Sequence, residues 1–247
     1  MPPAFPETDF RAFGVAASTF FRHLMSDEAL FDPEEKKRHF DWSWLAVRSR
    51  YRICAECNDG FKGLLANASD MWRADSGDEE LTYRLERCIY VFFMSELSAL
   101  ESFGFCLYFL GNALRPADFP HFNKPGKITL EATSKAFTTT FPQEAITRHL
   151  ADLLQNPEYT TISKFRNIMA HRAGGRRSIR AWNETQPDGT TIRKQEDTWH
   201  LPGSTQKLTF GDEMLQRYLD EMAAMLTTLA KAAHEFAENN QPAKAKP

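Results

Sequence analysis

Three residues in the run SKFRNIMAHRAGGRR, Ser163 to Arg177, have side chains suited to phosphate chemistry: Arg166, Asn167 and His171. A guanidinium presents a planar fork that can neutralise two phosphate oxygens at once. An imidazole titrates near neutral pH and can act as general acid or general base. An amide between them can orient either partner. On a helix at about 100° per residue, Asn167 and His171 are i,i+4 and stack on one line. That line is almost opposite the apolar stripe of Ile162, Phe165 and Met169, with Ile168 near its edge. Arg166 falls on the flank, where a long side chain can swing round. The three are therefore expected to converge on one surface point while the apolar side anchors the helix. The competing account is a wet helix face whose terminal cations answer the macrodipole.

The neighbourhood is cationic. No acidic residue lies between Glu158 and Glu184, whereas Lys164, Arg166, Arg172, Arg176, Arg177 and Arg180 do. The whole chain of 247 residues carries a formal charge of −3, so it has no global field for nucleic acid. Attraction for a polyanion such as RNA must come from this local segregation, and Lys164, Arg172, Arg176, Arg177 and Arg180 are the expected phosphate contacts. A second basic spot, RSRYR at Arg48–Arg52, reads more simply as a solvated helix face.

The segment RNIMAH resembles the signature of the HEPN superfamily, an arginine separated from a histidine by four to six residues, often with a polar residue directly after the arginine. Arg166, Asn167 and His171 match it, with four residues between arginine and histidine. In architecture the resemblance covers roughly residues 81–238, and in specific residues only this motif. It implies a helical bundle with the motif on a late helix against a long apolar one. It also implies a two-fold homodimer whose motifs meet across the interface. The activity implied is that of a metal-independent endoribonuclease, possible in a toxin–antitoxin or defence setting, with Arg166, Asn167 and His171 catalytic and no cofactor or metal. Many catalytic relatives carry a tyrosine shortly after the histidine, where this chain has HRAGG. The alternative is a non-catalytic HEPN-like module that binds RNA, a nucleotide or a protein partner such as an antitoxin.

Helical periodicity dominates the elements that must position these residues. A first helix is expected over Glu7–Met25, and a second from Pro33, a good first-turn proline, towards Met71, with Asp59-Gly60 as a candidate break point. A third opens at ADSGDEE and continues to Leu114, followed by a proline-rich connection and a short segment near Leu130–Phe137. Pro142 is expected to open a helix ending near Gln155, and the motif helix to stop at Gly174-Gly175. RRSIRAW and TTIRKQEDTWHL alternate as strands around QPDGT, whose Asp188-Gly189 is a hairpin-turn dipeptide. A last helix is expected from about Gly211 to Glu238, with Leu215, Leu219, Met222, Leu226 and Leu229 at core spacing. The fold class is therefore all-α, one HEPN-like helical bundle over residues 1–240 with a small β-hairpin inserted before the last helix. Residues 241–247 read as a disordered tail.

Other features narrow the function. Cys54 and Cys57 form a CxxC pair without a second half at zinc spacing, so Cys54, Cys57, Cys88 and Cys106 read as reduced helix cysteines. The stretch Cys88–Leu114 is long enough to cross a bilayer, but Glu96 and Glu101 would be costly there, so it reads as a central bundle helix with no membrane partner. If buried, both carboxylates need partners. Ser98, Glu101, Phe105 and Asn112 share a helix face, and Glu101 is a supporting residue that either holds the Arg166 guanidinium or is satisfied by serines or water. Trp42, Trp44 and Trp72 read as core or interface anchors. The N-terminus lacks a basic and an apolar region, so a cytoplasmic location is expected. Phosphate-loop, Gly-x-Ser-x-Gly and HExxH motifs are missing from the sequence.

Overall fold

Apolar residues repeating every three or four positions need other helices to bury against, and α1 (Glu7–Met25), α2 (Pro33–Met71) and α3 (Gly77–Leu114) provide three of those surfaces. The computed structural model describes residues 5–25, 33–71, 77–171, 176–200, 207–210 and 213–241. Among these, α4 (Leu130–Thr140), α5 (Ala145–Gln155), α6 (Pro157–His171) and α7 (Met214–Asn239) complete an all-α bundle. A small antiparallel sheet precedes the last helix.

The helix ends follow local chemistry. Acidic Glu7 and Asp9 open α1, and Arg22 and His23 close it, matching the dipole. Thr129 caps α4 by accepting the Ala132 N–H at 3.0 Å. Asn156 caps α6, its Oδ1 accepting from the N–H groups of Glu158 and Tyr159 at 2.8 and 3.1 Å, with Pro157 at the first helical position.

α2 and α3 form a long antiparallel pair, tied where the Cys54 thiol donates to the Phe92 carbonyl and the Cys106 thiol to that of Phe40. α2 does not break at Asp59-Gly60; it runs on to Met71. Glycine costs about 1 kcal/mol in a helix interior, but flanking Asn58 and Phe61 are fully buried and hold the backbone through it. α1 packs on α7 and α2, while α4, α6 and α7 lie against α3. One hydrophobic cluster joins the seven α-helices of the described residues. The stripe Leu215, Leu219, Met222, Leu226 and Leu229 of α7 is buried, as its spacing requires. α3 is the one described helix long and apolar enough to cross a membrane, and 78% of its most apolar window is buried inside the protein.

Two element boundaries differ from expectation. Pro142 does not open a helix; residues 142–144 form a turn, closed by the Glu144 N–H and Thr147 Oγ1 donating to the Phe141 carbonyl, and α5 starts at Ala145. The hairpin is also part of a larger sheet. β1 (Arg176–Thr185) pairs with β2 (Thr191–His200), and β2 pairs with β3 (Lys207–Phe210) in the register Trp199↔Leu208. The four residues of β3 are too few to show a period. At the tip, Gly189 has φ +84°, the left-handed region where glycine has no Cβ penalty. Asp188 Oδ1 accepts from the Thr190 N–H and hydroxyl, which pulls its carboxyl pKa down. None of the hairpin's described side chains joins the core cluster; β3 approaches the start of α7. Residues 242–247, most of the expected tail, and Trp72 lie outside the described residues.

Candidate functional site

The site is built where α3, α4 and α6 meet. α4 can approach α3 closely because position 104 is glycine: a Cβ there would stand 2.7 Å from Leu130 Cδ1 and 3.2 Å from Leu130 Cα. Thr133 Oγ1 donates to the Gly104 carbonyl at 3.2 Å. This contact sets the first turn of α4 over Glu101, whose Oε2 accepts the Leu130 N–H at 2.8 Å. Glu101 thereby satisfies one of the open donors at a helix N-terminus, where negative charge is favoured.

From the other side α6 brings two polar side chains. Ile162 and Phe165 are buried and Met169 half-buried, so the predicted stripe anchors the helix. Phe165 stacks on Phe93 of α3, with ring centroids 4.8 Å apart. On the flank, the Tyr159 hydroxyl hydrogen-bonds Glu101, and Arg166, seven residues later on the same side, lies near both. Burial is the largest influence on Glu101 and pushes its carboxyl pKa up; the Leu130 N–H, Arg166 and the Tyr159 hydroxyl pull the other way. Burial and the Glu101 charge push the Tyr159 phenol up to about 12. At neutral pH it is the donor in its bond to Glu101.

Glu101 thus lies within electrostatic reach of Arg166, while the backbone of α4 and the hydroxyl of Tyr159 share its carboxylate. The expected serine partners play no such part: the Ser98 carbonyl accepts from Arg50 at 2.8 Å. Asn112 donates to the Phe119 carbonyl, and Phe105 packs with Phe109. Asn167 is exposed, about 100° round the helix from Arg166. His171 is the last residue of α6, one turn beyond Asn167; its side chain, Arg172, and the side chains of Arg176, Arg177 and Arg180 lie outside the described residues. The backbone of Arg176, Arg177 and Arg180 belongs to β1, and Lys164 is exposed on α6. Tyr159 was not singled out from the sequence. Its only signal is the seven-residue spacing to Arg166, which becomes meaningful once Glu101 is known to lie opposite.

Elsewhere the basic run of α2 is internally engaged. Arg48 pairs with Glu7 at 3.3 Å, Arg50 bonds the Ser98 carbonyl, and Arg52 bonds Glu56 at 2.9 Å. Trp44 is a core anchor, stacked on Phe10 at 4.3 Å, whereas Trp42 is 61% exposed, with Arg38 over its ring and His39 edge-on to it. All four cysteines are free; burial pushes Cys54 and Cys106 well above the usual thiol range and Cys57 to about 11. Among the described residues no cluster of three or more His, Cys, Asp or Glu side chains could hold a metal. Comparison with known proteins finds no matching family model, no similar curated protein and no similar solved structure.

Proposed function

We propose that the chain is a metal-independent endoribonuclease of HEPN type that works as a two-fold homodimer. The observation that carries the reading is the place of Arg166: a motif arginine within electrostatic reach of Glu101 and Tyr159, on a helix that presents exposed Asn167 about 100° further round and ends at His171. A carboxylate near a long cation favours positions of its charge on that side, and pre-organised charge is what a developing phosphorane needs. In the proposed reaction the RNA 2′-oxygen attacks the adjacent phosphorus and the 5′-oxygen leaves, giving a 2′,3′-cyclic phosphate. One His171 imidazole, neutral, takes the 2′-hydroxyl proton. The His171 of a second copy, protonated, gives a proton to the 5′-oxygen. Arg166 neutralises the equatorial oxygens and Asn167 orients imidazole or phosphate.

The test is cleavage of end-labelled single-stranded RNA with EDTA present. Cyclic phosphate ends are expected. His171→Ala is expected to slow the reaction about 10²-fold or more, with an unchanged melting curve. Equal cleavage by wild type and a folded His171→Ala protein refutes the catalytic reading.

One observation favours the second reading, a binding module without cleavage. Glu101 already answers part of the Arg166 charge within the protein. That reading expects no cleavage by either protein and an RNA affinity that falls steeply with salt.

A further inference from the structure

α6 lies antiparallel on α3: Tyr159 meets Glu101 and Phe165 meets Phe93. The last turn of α6 therefore comes level with the part of α3 that precedes Phe93. Tyr90 is one turn before Phe93, about 4.5 Å along the axis. Residues 83, 90, 97 and 101 fall on one line of α3, within about 40° of each other at about 100° per residue. Where α6 covers that line, Leu97 is buried and Glu101 half-buried. On the same line Tyr90, level with the last turn of α6, is 43% exposed, and Tyr83, past the end of α6, is 56% exposed. Neither ring has an intramolecular hydrogen bond or ring contact among the described residues.

Arginine lies beside these rings. Exposed Arg87 sits between the two tyrosines, four residues after Tyr83 and three before Tyr90, and exposed Arg84 is one turn earlier. Half-buried Glu86 lies on the flank away from the arginines, and Glu79 and Glu80 sit in the first turn of the helix. Two exposed aromatic positions about 10 Å apart, with Arg87 between them and Arg84 on the flank where both arginines line the groove towards Glu56 of α2, have the chemistry of a stacking surface. Every unpaired base has a π-face that such rings can cover, while the arginines track phosphate.

We propose that Tyr83 and Tyr90, with Arg84 and Arg87, form a platform for unpaired bases of single-stranded RNA running from the α6 site along α3. The position of cleavage relative to this platform rests on the ribonuclease reading; the binding does not. A base-paired duplex hides its faces and cannot stack there. A protein partner would also cover tyrosines, but the neighbouring arginines and the alignment with the Arg166 flank favour nucleic acid.

The experiment measures anisotropy of a fluorescent 2′-O-methyl dodecamer, which lacks the attacking hydroxyl and stays uncut. It uses wild type, the pair Tyr83→Ala/Tyr90→Ala, and the pair Tyr83→Phe/Tyr90→Phe. The expected result is a loss of about 25-fold or more in affinity for the alanine pair, about 5-fold for each ring, affinity close to wild type for the phenylalanine pair, and no alanine effect on duplex binding. Unchanged single-strand affinity in the folded alanine pair overturns the proposal. So does a change confined to oligomeric state, which would assign the face to protein contact. The two readings separate cleanly. Tyrosine-dependent binding without cleavage of ordinary RNA leaves the platform standing and removes the nuclease. Cleavage with KM unchanged in the alanine pair does the reverse.

Discussion

Glu96 is the most exposed to test of all the buried groups, because its cost is set by pH. It lies in the middle of α3 with 0% exposure, and neither carboxylate oxygen has a hydrogen-bond partner. Burial raises its pKa well above the ordinary carboxyl value. It acts electrostatically on Cys54 of α2 and Tyr218 of α7, neither of which is a cation. An ionised carboxylate without a partner costs several kcal/mol in such a place, so the folded protein keeps Glu96 protonated. The sign follows. Below the unfolded-state value, about 4.3, both states hold the proton and nothing is lost. As pH rises towards the raised folded value, only the unfolded state releases it, and folding stability falls by up to about 1.4 kcal/mol per pH unit. Glu96→Gln keeps the shape and cannot ionise. Its stability difference from wild type should grow in its favour by about that amount per pH unit within the window. Urea unfolding followed by circular dichroism at pH 5, 6 and 7 measures it, and every other titrating group cancels in the difference. Parallel pH curves for the two proteins, or a variant that loses stability relative to wild type as pH rises, would refute the argument.

Gly104→Ala should cost about 1–3 kcal/mol, because its Cβ would meet the Leu130 backbone as well as its side chain; it should also loosen the Leu130–Glu101 bond, seen as faster Leu130 amide exchange. Glu101→Ala leaves the Leu130 N–H without its acceptor and should cost about 1–3 kcal/mol in urea unfolding, whereas His171→Ala should stay within about 0.5 kcal/mol. Gly189→Ala forces a Cβ into a left-handed turn and should cost about 1 kcal/mol, yet leave the helical signal intact, since the hairpin tip is outside the core; loss of soluble protein would contradict that placement. Light scattering at micromolar concentration should give twice the chain mass, and a monomer would count against the two-fold arrangement.

Much of the helical frame was legible because it is written locally. The 3.6-residue stripe of α7, the first-turn proline of α2 and the Asp188-Gly189 turn each depend on neighbours within a few positions. The motif could be placed on a helix, with its apolar side known, for the same reason. What the sequence left open depends on contacts between distant residues. Gly60 and Asp59 read as a break, but burial of Asn58 and Phe61 against other helices outweighs a propensity cost of about 1 kcal/mol. β3 has only four residues, and it exists because β2 offers it a register. Glu96 and Glu101 look alike in the sequence, five residues apart on one apolar helix. Tertiary packing separates them. Gly104 lets the N-terminus of α4 close on Glu101, α6 adds Tyr159 and Arg166, and the carboxylate is shared among three donors or charges. Glu96, about 140° round the helix, meets side chains that offer it no hydrogen bond, and desolvation alone decides its state. Local spacing determines which way a side chain faces; only the assembled bundle determines what stands opposite it.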